Sequence, residues 1–309
     1  PLKHSDYASW RAEAESSLYY AKHREFWKTQ LQNGLPGLVL PYDYNNVERP
    51  NREASGFLLI SGNELQKFHS VVRDLGTTKH ALLLSIVYLM INQLTSQKEI
   101  VLGTTLSGRK RDDVFSLVGL LAKIVPYNFT IEQPISIKEL VTLIEKNVQN
   151  VLEYQDFPLD KSISQQRDSG GESPYSVVFN YMPDHKNASD TKELLDLLLV
   201  GIQKEAKHEL TFQVFDSADQ LQIKLEYNSA LFSDSTIERY LQYFENIMSE
   251  IGNWTEKAIA NIEIITEEER LLQRSNFDKT AVPYPKDKTI LDLLNESFSK
   301  YPEAIAVVD

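Results

Sequence analysis

The sequence contains no cysteine, which excludes disulfide bonds, thiolate metal sites and a cysteine nucleophile. Basic residues are in deficit, since 32 Lys and Arg against 44 Asp and Glu leave a formal net charge of −12. This charge argues against a general affinity for nucleic acid or for an anionic membrane. No apolar run approaches the roughly 18 residues of a membrane-spanning helix. We therefore expect no nucleic-acid partner, no membrane and, with no signal peptide or cysteine, a cytoplasmic location.

Motifs for several common chemistries are also missing. There is no Walker phosphate loop, no Gly-x-Gly-x-x-Gly and no Gly-x-Ser-x-Gly nucleophile elbow. The six histidines are scattered, and no two lie three or four residues apart, as a metal site on one helix face requires. The carboxylates are plentiful, but no pair has a spacing that marks it for acid–base catalysis. Residue types and spacing thus predict no metal site and no catalytic site.

What is present is the composition of a folded protein of more than one domain. Apolar residues make up 42% and charged residues 25%, values typical of globular proteins. The length of 309 residues exceeds the roughly 100 to 200 residues of a usual domain, which favours about two domains or one large one.

Helical and strand patterns alternate irregularly along the chain. A Ser-x-x-Glu pattern at Ser61 to Glu64 predicts a capping box that opens a helix, and the strongly apolar stretch after Lys79 predicts a buried helix. We predict helices at 6–32 (one or two), 62–75, 79–97, 136–152, 233–251, 266–276 and 289–300, and strands at 56–60, 99–108, 122–129 and 175–182, in a hairpin at 209–228, and at 304–308. The absence of a regular βαβ rhythm favours an α+β or mixed α/β fold.

The sequence indicates a domain boundary near the carboxyl end. The composition changes after Trp254, and the stretch "FDKTAVPYPKDK" reads as a linker with two prolines. A Ser/Gly-rich loop is also predicted at 167–173. We place the domain boundary between Thr266 and Tyr284.

Several segments resemble, in order, the carboxy-terminal half of a condensation domain of a nonribosomal peptide synthetase. "HSDYASW" is similar to the family's Tyr-x-Asp-[YF]-Ala-x-Trp, and "EYQDFPLDK" to its His-Gln-Asp-Tyr-Pro-Phe-Glu-Lys. The other matching segments are "REFWKTQLQNGLPGLVLPYDYNNVERP", "IVLGTTLSGRKRDDVFSLVGLLAKIVPYNF", "SPYSVVFNYMP", "HELTFQVF", "LEYNSALFSDSTIERYLQYFENIM" and "IEIITEEER". The final "NFDKTAVPYPKDKTILDLLNESFSKYPEAIAVVD" is similar to the opening of an adenylation domain.

The resemblance implies an architecture of three parts. Residues 1–265 would form the carboxy-terminal lobe of a condensation domain, with a chloramphenicol-acetyltransferase-like mixed sheet flanked by helices. Residues 266–283 would be a linker, and residues 284–309 the start of an adenylation domain. The family's His-His-x-x-x-Asp-Gly motif does not occur in this sequence. The resemblance therefore assigns no catalytic residue to the chain and implies that the chain alone is inactive.

The reaction implied for the parent protein is amide formation between groups carried as phosphopantetheine thioesters. The implied partners are carrier proteins, the amino-terminal condensation lobe and the adenylation domain. No cofactor would bind this chain directly, because phosphopantetheine belongs to the carriers, and ATP and Mg²⁺ serve only the adenylation core.

The same resemblance gives candidate tunnel and motif residues. Gly108 and Arg109 match a family Gly-Arg, and the open alternatives are a polar contact near the tunnel or a turn glycine with a solvated arginine. Gly119, Lys123 and Asn128 match the segment Val-Gly-Met-Phe-Val-Asn-Thr-Leu-x-Leu-Arg, although Lys123 replaces the usual Asn and Asn128 the usual Arg.

The remaining candidates are Gln155 and Asp156, which match Gln-Asp of the His-Gln-Asp motif, and Asn180 in the strand "YSVVFNYM". Gln155 and Asp156 would line the tunnel or, as we favour, cap the helix that ends before Pro158. Two other functions stay open: a noncatalytic module that docks carrier proteins, and an epimerisation domain of the same fold.

Overall fold

The computed structural model describes residues 2–15, 17–32, 34–45, 50–109, 112–131, 134–159, 175–183, 205–277, 279, 283 and 285–305. The chain divides into two compact units, residues 1–265 and 266–309. The helices are α1 (His4–Glu15), α2 (Ala21–Gln30), α3 (Gly62–Leu75), α4 (Lys79–Thr95), α5 (Ile137–Glu153), α6 (Asp234–Glu250), α7 (Glu267–Phe277) and α8 (Ile290–Lys300). The strands are β1 (Glu53–Ser61), β2 (Glu99–Leu106), β3 (Lys123–Thr130), β4 (Val177–Met182), β5 (Leu210–Asp216) and β6 (Gln220–Asn228).

The first unit is built on a mixed six-stranded sheet with the order β1-β6-β5-β4-β2-β3. The pairs β1–β6, β5–β6 and β2–β3 are antiparallel, whereas β4 is parallel to both β5 and β2. The β2–β4 ladder is short, with Gly103 opposite Val178 as its recorded pair. The predicted mixed α/β fold and the β5–β6 hairpin are thus confirmed.

Helix α4 occupies the centre of the core. Every residue from Ala81 to Ile91 is buried, which confirms the strongly apolar, buried helix predicted from the sequence. Its first turn is capped by Thr78, whose side chain accepts a hydrogen bond from the Ala81 amide at 3.2 Å. Helices α3, α5 and α6 pack against α4, and with it they cover one face of the sheet.

The opposite face of the sheet has its own, smaller apolar cluster. Val101 and Val178 alternate along their strands with the residues that face α4, and they pack with Tyr175 on this second side. Helix α2 approaches the same face, because the Asn128 side-chain amide donates to the Gln30 carbonyl at 3.2 Å. Both faces are therefore at least partly covered within the first unit.

One sequence prediction is wrong, and two others fall mostly or wholly outside the described residues. Helix α3 begins where predicted, but the capping box is wrong: the Ser61 side chain makes no capping bond. The backbone leads into the helix through Gly62 in the left-handed conformation (φ 58°), which changes the approach of Ser61 to the first turn. The predicted strand at 304–308 lies mostly outside the described residues, and Ala304 and Ile305 are not in a strand. The predicted loop at 167–173 also lies outside them.

The described residues of the second unit include helices α7 and α8. Helix α8 begins with a complete capping box, in which the Thr289 hydroxyl accepts from the Asp292 amide and the Asp292 carboxylate accepts from the Thr289 amide. None of the helices in the described ranges has the length and hydropathy needed to cross a membrane.

Candidate functional site

The turn after β2 brings together two residues that the sequence singled out, Gly108 and Arg109. Gly108 has φ 68°, and a Cβ there would lie 2.2 Å from the Leu121 carbonyl oxygen. Only glycine fits this position, because the backbone is left-handed and the neighbour is itself backbone. The turn therefore needs glycine for its shape.

The Arg109 side chain organises the segment that follows. Its guanidinium donates hydrogen bonds to the carbonyl oxygens of Val114 (2.6 Å), Leu117 (2.8 Å) and Gly119 (3.1 Å), with a longer contact to Phe115 (3.4 Å). We call residues 112–121 the Arg109 loop. The guanidinium is thus engaged with backbone, and the alternative of a freely solvated arginine is wrong.

The Arg109 loop exposes apolar side chains while its carbonyls face the guanidinium. Val118 is 92% exposed, Leu120 82% and Phe115 63%. Val114 and Leu117, in contrast, are buried and anchor the loop to the protein. The loop thus places three large apolar side chains in solvent within six residues.

Gly119 sits at the contact between this loop and the first helix. Its φ is 154°, and a Cβ there would lie 2.4 Å from Cδ2 of His4 in α1. His4 stands at the first Tyr of the motif Tyr-x-Asp-[YF]-Ala-x-Trp. Two motif segments more than a hundred residues apart in sequence therefore meet here.

Lys123 links β3 to the segment that follows α5. Its ammonium group donates to the Phe157 carbonyl at 3.1 Å. In that segment the Gln155 side chain donates to the Leu152 carbonyl at 2.8 Å, at the end of α5. Asp156 lies near Tyr20: burial and then the Asp156 charge raise the pKa of Tyr20 to about 12. The Gln155 contact is the helix-capping arrangement that we favoured.

Aromatic packing holds this segment against α2. The Trp27 indole donates to the Tyr154 carbonyl at 2.9 Å, and the Phe26 and Tyr154 ring centroids are 4.6 Å apart. Tyr20 meets Phe157 edge to face at 6.1 Å. Phe26 and Trp27, which lie in the matching segment "REFWKTQLQNGLPGLVLPYDYNNVERP", thus hold α2 against the end of α5.

Asn180 and Asn128 lie at different places on the sheet. The Asn180 side chain accepts a hydrogen bond from the Thr105 amide at 3.0 Å, just beyond the single recorded β2–β4 pair. Thr105 pairs with Ile124, the neighbour of Lys123, so Asn180 belongs to the same end of the sheet as the Arg109 turn. Asn128 pairs with Val101 near the other end of β3, so the structure separates it from the other candidates.

A polar network at the carboxyl ends of β4 and β5 was not predicted from the sequence. The Lys79 ammonium contacts both Asp216 carboxylate oxygens, at 3.1 and 2.9 Å, and the Tyr181 hydroxyl donates to the same carboxylate at 2.5 Å. His80 packs against Phe179 and Tyr181, and burial lowers its pKa to about 4. Lys79 and Asp216 are 137 residues apart in sequence, so no local pattern connects them.

Within the described ranges, no three His, Asp or Glu side chains are grouped so that they could hold a metal ion. The arrangement at this end of the sheet offers shaped backbone, apolar surface and hydrogen-bonding side chains.

Comparison with known proteins identifies the family. Residues 1–272 match the family described as "Condensation domain". The chain therefore belongs to the condensation-domain family.

Curated relatives match almost the whole chain. It is 25% identical over 313 residues to gramicidin S synthase 2 of Brevibacillus brevis and 25% identical over 314 residues to surfactin synthase subunit 1 of Bacillus subtilis (strain 168). Each match covers 99% of this chain but only 7% and 9%, respectively, of those proteins. The chain thus corresponds to a small part of each.

Solved structures share the fold. The X-domain from teicoplanin biosynthesis superposes with a TM-score of 0.71 at 18% identity, covering 85% of this chain and 62% of that one. The four-domain nonribosomal peptide synthetase AB3403, whose structure contains AMP and glycine, gives a TM-score of 0.70 at 17% identity and covers 94% of this chain and 24% of that one. At such identities the likeness concerns the fold.

Proposed function

We propose that residues 1–265 are the carboxy-terminal lobe of a condensation domain in a nonribosomal peptide synthetase. The parent enzyme would join two groups, carried as phosphopantetheine thioesters on carrier proteins, through an amide bond. The observation that carries this proposal is the family match over residues 1–272, combined with the size of the solved relatives. The first condensation domain of the calcium-dependent antibiotic synthetase covers 86% of this chain, yet this chain covers only 58% of it.

In this proposal, the part of such a condensation domain that this chain does not cover is an amino-terminal lobe with the His-His-x-x-x-Asp-Gly motif. The lobe described here contributes positioning surfaces, which is how such an enzyme lowers the barrier for two tethered substrates. Residues 266–283 would then be a linker, and residues 284–309 the opening of an adenylation domain. Carrier proteins and the adenylation domain are the partners, and the cytoplasm is the location.

The test starts from the coding sequence upstream of Pro1. We expect it to encode about 170 further residues, a lobe of domain size, containing the His-His-x-x-x-Asp-Gly motif. A protein that includes this segment is compared with the chain described here, each mixed with two loaded carrier proteins. We expect a peptide product by mass spectrometry from the longer protein only. The matched control changes the second His of the upstream motif to Ala in the longer protein.

Two results would contradict the proposal. Product from the chain that begins at Pro1 would show that a single lobe suffices. An upstream region without the motif, and a longer protein without product, would favour the noncatalytic alternative. That alternative has one observation in its favour, because the teicoplanin X-domain of similar fold (TM-score 0.70) was solved in a complex with OxyB.

A further inference from the structure

The Arg109 loop satisfies its backbone in an unusual way. Amide-to-carbonyl bonds run within it from Phe115 to Asp112 (3.3 Å) and from Leu117 to Val114 (3.2 Å). Besides the buried side chains of Val114 and Leu117, the loop is ordered by the guanidinium, which gathers carbonyls spread over six residues, from Val114 to Gly119. Since backbone carbonyls need partners wherever they leave water, the conformation of this loop depends on Arg109.

The loop held by Arg109 carries both buried and exposed apolar side chains. Val114 and Leu117 are buried, whereas Phe115, Val118 and Leu120 are 63 to 92% exposed. Single exposed apolar residues are ordinary on a protein surface. Three of them on one short loop, held by charge-assisted hydrogen bonds, mark an interaction surface.

We propose that Arg109 is a positioning residue, which fixes the Arg109 loop so that Phe115, Val118 and Leu120 form a docking surface for the preceding lobe of the same condensation domain. This inference rests on the proposed function, because the preceding lobe that would occupy the surface is part of that proposal. The length of the solved relatives supports that occupant, since this chain covers only 58 to 62% of four chains of condensation or X-domains. An apolar loop of this kind fits an intramolecular neighbour that never leaves it.

Lysine is the informative replacement for Arg109. A guanidinium presents five donors in a fixed plane, and an ammonium group presents three from one point. Lys at position 109 keeps the charge but cannot reach carbonyls of Val114 and Gly119 together. Arg109→Lys therefore separates the positioning geometry from the charge, and Arg73→Lys on α3 serves as the matched control.

The absence of cysteine allows a direct test of the docking surface. Val118→Cys introduces a thiol on the Arg109 loop, and Val39→Cys introduces one at a control position that is 73% exposed. Each variant is made in the chain described here and in the longer protein that includes the upstream segment. Each protein is treated with a maleimide. The rate of labelling is followed by mass spectrometry of the peptide that contains position 118 or position 39.

We expect Val118→Cys to be labelled at least about tenfold more slowly in the longer protein, as burial restricts access to the thiolate. Val39→Cys should be labelled at equal rates in both. Adding Arg109→Lys should remove most of the protection at position 118, accelerate amide exchange of Phe115 and Leu117 by about tenfold or more, and lower product formation. Arg73→Lys should do none of these.

Each other outcome overturns a part of the inference. Equal labelling at position 118 in both proteins would reject the docking surface, while product from the longer protein would leave the proposed function intact. Protection in the isolated chain that rises with its concentration would identify a second copy as the occupant and reject the lobe. Protection and amide exchange that are unaffected by Arg109→Lys would reject Arg109 as a positioning residue.

Discussion

Helix α4 and the Arg109 loop use apolar residues in opposite ways. In α4 the backbone satisfies its own hydrogen bonds, so the side chains from Ala81 to Ile91 are all free to be buried. In the Arg109 loop the carbonyls are satisfied by one side chain beside the loop, and Val118 and Leu120 are left in solvent. The same residue types thus stabilise the fold in one region and present a surface in the other.

The difference shows that residue type alone does not decide whether an apolar side chain is buried. Within the Arg109 loop, Val114 and Leu117 are buried although their carbonyls accept hydrogen bonds from Arg109, whereas Val118 and Leu120 are exposed. Hydrophobicity alone does not distinguish "HALLLSIVYLMI" from "FSLVGLLA".

Matched leucine truncations test this comparison and should give its largest effect. Leu82→Ala in α4 removes a fully buried side chain, and we expect it to lower the free energy of unfolding by about 3 kcal/mol. Leu120→Ala removes the same atoms from a side chain that is 82% exposed, and it should change stability by less than about 0.5 kcal/mol. Urea denaturation of the chain measures both. Equal losses for the two variants would show that the loop is buried and that the contrast with α4 is wrong.

A glycine pair tests the turn that carries Arg109. Gly108→Ala forces a Cβ against the Leu121 carbonyl in a left-handed conformation, and we expect a loss of about 2 kcal/mol. Gly37→Ala is the control, because its φ lies outside the left-handed region and no heavy atom lies within 4 Å of the new Cβ. Thermal unfolding compares the two variants. A Gly108→Ala protein as stable as the control would mean that the turn adapts and that the Arg109 loop is not fixed by it.

Much of the fold could be predicted from the sequence because its signals are local. The apolar run of α4, the amphipathic spacing of α5 and the alternation in the β5–β6 hairpin each lie within one segment. The capping box at Ser61 failed because Gly62 takes a left-handed conformation, which the spacing of Ser and Glu does not reveal.

The candidate site could be predicted only in part, because its contacts join distant segments. Resemblance pointed to Gly108, Arg109 and Gly119 but not to the carbonyls that Arg109 binds or to the His4 side chain over Gly119. Lys79, Tyr181 and Asp216 belong to three elements, and their meeting depends on the parallel β4–β5 pair. Local sequence patterns therefore do not predict that these three side chains are in contact.

The smallest predicted effect concerns Glu145 of α5, which hydrogen-bonds the two residues that precede α4, Thr77 and its N-cap Thr78. Its carboxylate accepts hydrogen bonds from the Thr77 hydroxyl (2.7 Å), the Thr78 hydroxyl (3.0 Å) and the Thr78 amide (3.2 Å). Burial alone would raise the pKa of Glu145, but these hydrogen bonds together outweigh it and lower the pKa below the usual value of 4.5. Protonation is therefore harder in the folded state than in the unfolded chain.

The sign of the pH dependence follows from this lowered pKa. The stabilisation by Glu145 is fully present above the unfolded value near 4.5 and is lost as the pH falls through the lower folded value. We expect Glu145→Gln to cost about 1 kcal/mol at pH 7 and the difference from the wild-type chain to shrink between pH 5 and 3 in urea titrations (an interval of about 2 pH units around the free carboxyl pKa). Glu153→Gln, at the end of α5, is the control for a general charge effect. A difference that stays constant across this interval would mean that the Glu145 hydrogen bonds do not depend on its charge.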